Sequence, residues 1–396
     1  MLRIESGPQR ATSLELFLDL VFVFALTRVS QRLVTDLATE QRTLLLDASQ
    51  TLLLFLALWL IWITNAYLTS RLNPEARVVV FVMVLTMVGS MVMAVALPQG
   101  FGERALVFAG AYVAVQVGRV LALLAAARGE PDPANPAALP RVLMWSGLTA
   151  VLWLAGGVVD LPPARGVLWS TALILDYAGL TLGWPVPGLG RSRHLGRSIA
   201  GEHLAERYQQ FLLIALGETI LTIGFTLSGE PGFTRDRTAG FALAMITTVQ
   251  FWRIYFFRAG HVLPLAITSA REPVRLGVAA SFTHLTMVAG ILVTGVGYEL
   301  YIDHPLGHAT PAWIFTILGG PALFLLGRAG FEFQVFSRVS WSWLSGLLAL
   351  GVFVPAMLNM PPLAAGGASA VVLLGVVVLA ERPSRSRAPE APAPPI

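Results

Sequence analysis

Apolar runs of about 20 residues, the length a helix needs to cross the hydrocarbon core of a bilayer, recur twelve times along the chain. They fall near 14–35, 50–69, 77–97, 104–126, 141–160, 164–183, 204–228, 237–257, 272–297, 310–327, 338–357 and 363–380. The pattern predicts an all-α, polytopic transmembrane helix bundle of about twelve spans. Connections are short and leave no room for a soluble catalytic domain. The longest are 127–140 and 184–203, the second rich in Gly, Pro, Arg and His. This second connection divides the chain into a first six-span half (1–183), a cytoplasmic linker (184–203) and a second six-span half (204–380). The tail, 381–396, reads ERPSRSRAPEAPAPPI and has no apolar periodicity, so disorder is expected there.

Arginine placement orients the stack. With both termini cytoplasmic, eighteen arginines lie inside and six outside, the outer ones being Arg32, Arg42, Arg104, Arg165, Arg235 and Arg237. A threefold excess on one side agrees with the positive-inside rule. The first apolar run lacks a small-residue cleavage site and carries acids, so a cleaved signal peptide is not expected. The expected location is the bacterial plasma membrane, multi-pass, with both ends in. Trp59, Trp62, Trp145, Trp153, Trp169, Trp341 and Trp343 read mostly as anchors at the membrane interface.

Composition sharpens this picture mainly by exclusion. The chain is 55% hydrophobic and 13% charged, about half the charge of an ordinary soluble protein. It has no cysteine and no lysine, and all 27 basic residues are arginine. Disulfides, thiolate chemistry, lysine Schiff bases and a P-loop lysine are therefore excluded. The arginines lie between spans and form no basic patch, which excludes nucleic acid as a partner. The partners implied are the lipid bilayer and a small solute or ion. No cofactor is called for, and the oligomeric state is left open.

A shift of 190 residues lays FALTR (24–28) on IALGE (214–218), Trp62 on Trp252 and Tyr67 on Phe257. Because six is an even number of crossings, two such halves form a parallel repeat about an axis along the membrane normal. The same shift places Arg28 opposite Glu218, each roughly 21 Å into its helix. A paired charge escapes most of the desolvation cost of an isolated one, so these two are expected to meet if the halves face each other.

Charged residues inside apolar spans are the candidate chemistry. Glu15 and Asp19 share one face of the first span, one turn apart, and a carboxylate in hydrocarbon costs roughly 2.5–3.5 kcal/mol even on the insertion scale. Glu15, nearer the end, is placed to touch water at the rim, and Asp19 is expected to be buried. In the seventh span His203, Glu206 and Gln210 share a face, a spacing that suits metal ligands or a proton relay. Glu218 lies much deeper. Arg119, with Tyr112 and Gln116 on nearby turns of the fourth span, joins the same polar interior or snorkels to an interface. His284 stands near the middle of the ninth span, and Asp176 of the sixth has no evident partner.

The segments ELFLDLVFVFALT (15–27), LDYAG (175–179), HLAERYQQFLLIALGETI (203–220) and THLTMVAGILVTGVGYE (283–299) closely resemble the bacterial low temperature requirement A family. The resemblance implies a multi-spanning bacterial membrane protein associated by name with growth in the cold. It brings no settled activity. The matching residues are Glu15, Asp19, Asp176, His203, Glu206, Arg207, Gly217, Glu218 and His284. Arg28 departs from the family, where a glutamine commonly follows the threonine. A looser likeness to lysosomal-type potassium channels holds at Phe17-Leu18-Asp19 and fails in the second half, where Tyr208-Gln209-Gln210 lacks the acid.

The leading functional expectation is a secondary carrier coupled to protons or cations, working by alternating access between the halves. Asp19 and Glu218 are its titrating or cation-holding groups, and Glu206 and His203 its cytoplasmic-side relay. One alternative is a membrane-embedded metal site or enzyme built from Glu15, Asp19, His203, Glu206 and His284. Another is a membrane sensor of temperature or lipid state.

Overall fold

Proline opens four of the long helices, where its missing N–H and fixed φ are no handicap. A computed structural model describes residues 10–38, 44–127, 138–191, 200–229, 231–256, 259–381 and 391–395. In chain order the helices are α1 (Ser13–Ala38), α2 (Leu44–Thr69), α3 (Arg77–Ala96), α4 (Ala105–Ala127), α5 (Ala138–Val158), α6 (Pro162–Leu182), α7 (Gly201–Ser228), α8 (Arg235–Phe256), α9 (Ala259–Ser269), α10 (Pro273–Asp303), α11 (Pro311–Phe336), α12 (Trp341–Met357) and α13 (Pro362–Glu381). A 3-10 turn, Leu97–Gln99, extends α3. Among the described residues there is no β-strand; Val186 and Gly190 form an isolated bridge.

Among the described residues, eight helices are long and apolar enough to cross a membrane: α2, α3 with its 3-10 turn, α4, α5, α7, α10, α11 and α13. The protein is an all-helical, multi-pass membrane protein. The eight fall short of twelve for a physical reason. α1 and α6 have the length, 26 and 21 residues, but carry the charges Asp19, Arg28 and Asp176 in their interiors, α8 carries Thr, Gln and Arg, and α12 is apolar but only 17 residues long. The helix α9 was not expected from the sequence. Its 11 residues, with Pro264 inside, are too few to span and fell below the length sought.

The chain divides into two units, Met1–Arg32 with Thr39–Leu204, and Leu33–Ala38 with Ala205–Ile396. Within unit 1, α4 packs against α3 and α5, α5 against α6, and α2 against α3, α4 and α6. Within unit 2, α10 and α11 form the most extensive pair; α12 and α13 pack in sequence on α11, α8 packs on α10 and α13, and α9 touches α8, α10 and α11. The linker expected at 184–203 ends in helix, since α7 starts at Gly201; 192–199 lie outside the described residues. In the tail, 391–395 are not helical, and Ala393 N donates to Val335 O (2.9 Å) while Ser337 Oγ donates to Ala393 O (2.6 Å).

The tryptophans correct the sequence reading. Trp59, Trp62, Trp153 and Trp169 are 1% exposed or less and belong to the core, and Trp343 is also buried, whereas Trp341 is exposed. Buried indoles need an N–H acceptor. Trp62 finds Asp19, Trp153 finds Asp176, and Trp169 finds the Trp153 carbonyl.

Four of the arginines assigned to the outer face are tied into helix ends, while Arg42 lies outside the described residues. Arg32 donates to Leu97 O and Pro98 O (both 3.0 Å), Arg104 to Val95 O (2.9 Å), and Arg237 to Gly229 O (3.3 Å) and Thr226 O. Arg165, only 4% exposed, donates to Gly156 O (2.9 Å), Val159 O (2.7 Å) and Phe101 O. Carbonyls at a helix C-terminus lack intrahelical donors and carry the negative end of the dipole, so a guanidinium there is well matched. Arg165→Leu strands three such carbonyls and is expected to destabilise the purified protein by about 3 kcal/mol. A thermal unfolding midpoint equal to wild type would contradict this.

Candidate functional site

The N-terminus of α1 is built by a capping box that the sequence shows as Thr12-x-x-Glu15. Glu15 N donates to Thr12 Oγ1 (3.4 Å), and Glu15 Oε2 accepts from Thr12 N (2.8 Å) and Thr12 Oγ1 (3.0 Å). The other oxygen, Oε1, stands 2.9 Å from His203 Nε2, with both side chains 0% exposed. The expected rim contact with water is thus corrected: capping turns the Glu15 carboxylate inward, where the first turn of α7 meets it. Ser70, just past the end of α2, completes the group. Its Oγ donates to Ala66 O (2.7 Å) and lies 2.9 Å from His203 Nδ1, while Ala200 N donates to Ser70 O (3.1 Å).

Ser70 has one proton, directed at Ala66 O, so its lone pair faces Nδ1 and that nitrogen donates. Glu15 Oε1 and His203 Nε2, 2.9 Å apart and both side chains fully buried, are the remaining close contact of the triad.

One turn deeper on α1, Asp19 is 1% exposed and accepts from Trp62 Nε1 of α2 (3.1 Å). Arg28 is met within its own helix, donating to Gln31 Oε1 (2.8 Å) and lying over the Phe24 ring.

A second polar group sits among α4, α5 and α6. Asp176 Oδ2 accepts from Tyr112 OH (2.7 Å) and Trp153 Nε1 (3.4 Å), and the Thr149 hydroxyl adds a further contact. Gln116 Nε2 donates to Tyr112 OH (3.2 Å). Arg119 is 9% exposed, and its charge and that of Asp176 act on each other. The rings of Tyr112 and Trp153 pack against each other with centroids 4.3 Å apart. Asp176 therefore has the partners that the sequence did not reveal.

In unit 2, Glu206 accepts from Gln210 Nε2 (3.2 Å) and Gln210 Oε1 accepts from Arg207 (3.1 Å). Glu206 thus has Gln210 as a partner, and His203 has Glu15 and Ser70. Glu218 is fully buried; its Oε1 accepts from Thr222 Oγ1 (3.1 Å), and Gly295 of α10 leaves room beside Oε2. His284 is satisfied at both nitrogens, donating from Nδ1 to Ala280 O (2.7 Å) and accepting at Nε2 from Tyr255 OH (2.8 Å). It stacks on Tyr208 with centroids 4.5 Å apart. This wiring is that of a packing hub, with no lone pair to offer a metal. Among the described residues no three His, Cys, Asp or Glu side chains are grouped as metal ligands.

Residues 10–378 match the model of a family described as bacterial low temperature requirement A protein. An uncharacterized protein of Rhizobium meliloti (strain 1021) is 37% identical over 388 residues, covering 95% of this chain and 90% of that protein. No solved structure matches the chain.

Proposed function

The chain belongs to the bacterial low temperature requirement A family, and from that premise we propose that it is a secondary transporter coupled to protons or cations. The observation that carries this reading is the burial of Glu15, Asp19 and Glu218, 0%, 1% and 0% exposed, inside membrane-length helices. Intramembrane acids are costly, and a sequence that retains several has a use for them in holding a proton or cation. Asp19 and Glu218 are the titrating groups in this scheme, with the Glu15–His203 pair passing protons at the end of α1.

All twelve long helices cross the plasma membrane in the proposed topology, with both ends cytoplasmic. The helix-bound outer arginines support it, because charges already neutralised by carbonyl dipoles weigh little against the positive-inside bias. The helix bounds also support a duplicated plan. Adding 190 to the end of α1 (38) gives 228, the end of α7, and adding it to the start of α2 (44) gives 234, one residue before α8.

Proteoliposomes on a solid-supported membrane are expected to give transient currents on rapid steps of pH, Na⁺ or K⁺. Asp19→Asn and Glu218→Gln are each expected to reduce that current at least ~10-fold, the loss for removing an interaction worth about 1.4 kcal/mol, with insertion unchanged. No current for any of the three ions, or full current in both variants, rejects the proposal.

A further inference from the structure

Three residues of α4, Tyr112, Gln116 and Arg119, stand at i, i+4 and i+7 and so share one helix face. Two of them have polar capacity that the protein leaves unused. Gln116, 6% exposed, spends its NH₂ on Tyr112, while its Oε1 is buried with no donor. Arg119, 9% exposed, makes no hydrogen bond or ion pair among the described residues. Across from them, both Tyr112 and Trp153 bind Oδ2 of Asp176, so Oδ1 has room for a further donor.

A guanidinium inside a bundle is expensive unless something supplies acceptors. Asp176 is close enough to feel that charge, yet the two do not form an ion pair. They are two opposite charges that influence each other without meeting. An anion alone beside them would meet repulsion from Asp176, and a cation alone would meet repulsion from Arg119. A molecule carrying both charges satisfies each, and the Tyr112–Trp153 ring pair covers its apolar part.

We propose that the α4–α5–α6 face of unit 1 binds a small zwitterion, its carboxylate on Arg119 and its ammonium on Asp176 and Gln116 Oε1. This names a substrate class for the carrier and in that sense rests on the reading above, although binding can occur without transport. An amino-acid ammonium donates hydrogen bonds to Asp176 and Gln116. A quaternary ammonium instead lies against the Tyr112 and Trp153 rings, a cation–π contact.

The test is thermal unfolding of the full-length protein in detergent with 10 mM glycine, γ-aminobutyrate or glycine betaine, against sodium acetate and methylammonium chloride as single-charge controls. At least one zwitterion is expected to raise the midpoint by about 3 °C, with neither control doing so. The rise is expected to vanish in Arg119→Gln and in Asp176→Asn. Should either variant fail to elute as a single folded species, Arg119→Lys and Gln116→Leu take its place, each expected to shrink the rise by half or more. No rise with any zwitterion, an equal rise with acetate or methylammonium, or a rise that survives in the variants overturns the assignment. Ion-step currents without zwitterion binding sink this site and leave the carrier standing; binding without currents does the reverse.

Discussion

Glu15→Ala is expected to destabilise the protein by about 3–5 kcal/mol, the cost of leaving one partner of a buried ion pair uncompensated. Two separate functions are lost together: the carboxylate caps Thr12 N at the start of α1, and it faces His203. Glu15→Gln separates them. The single oxygen of glutamine still serves at the third position of a capping box, and its NH₂ then faces Nε2 of a neutral imidazole, so the cap is kept while the charge is lost, and a smaller change of about 1–2 kcal/mol is expected. Adding His203→Asn to Glu15→Gln removes the second charge as well. The double variant is expected to be more stable than the sum of the two single losses by about 2 kcal/mol, because neither charge is stranded. Equilibrium unfolding in mixed micelles measures all four corners of the cycle. Strict additivity would show that the 2.9 Å approach carries no coupling.

The helices were readable because hydrophobic length is a strong signal: each of the twelve apolar runs meets a helix. What escaped was set by packing across distance in the chain. Glu15 and His203 lie 188 residues apart (203 − 15), and no spacing rule pairs them. A local clue was nevertheless available. Thr12-x-x-Glu15 marks a capping box, and a capping carboxylate folds back over the helix end, away from the rim. The α4–α5–α6 group was half readable for the same reason. Tyr112, Gln116 and Arg119 reveal themselves by i, i+4, i+7 spacing, whereas Asp176, Thr149 and Trp153 come from neighbouring helices whose contacts no single periodicity encodes. Indole rings misled, because tryptophan at a span end and tryptophan bonded to a buried acid look alike in one sequence. His284 needed Tyr255 and Tyr208 beside it before its saturated wiring could be seen.

The pairing of α10 with α11 leads to the other large effect, and it too was written in the sequence. Gly290 and Gly297 are seven apart, as are Gly320 and Gly327, so each pair lies two turns along one face. Small residues let transmembrane backbones approach closely where no hydrophobic force drives association. The approach here is extreme. A Cβ on Gly320 would fall on Thr294 Oγ1 and lie 2.6 Å from Thr294 N; one on Gly327 would lie 2.8 Å from Met287 N and Thr283 O. Backbone atoms cannot yield as a flexible side chain does, so Gly320→Ala is expected to cost about 3 kcal/mol, and Gly320→Leu to leave no monodisperse protein on size exclusion. The neighbouring residue is the control. A Cβ on Gly319 meets nothing within 4 Å, and alanine favours a helix over glycine by about 1 kcal/mol, so Gly319→Ala is expected to be neutral or stabilising. Two adjacent glycines with opposite outcomes separate helix propensity from close approach. Equal thermal midpoints for the two alanine variants would mean that α10 and α11 are not held together through this seam.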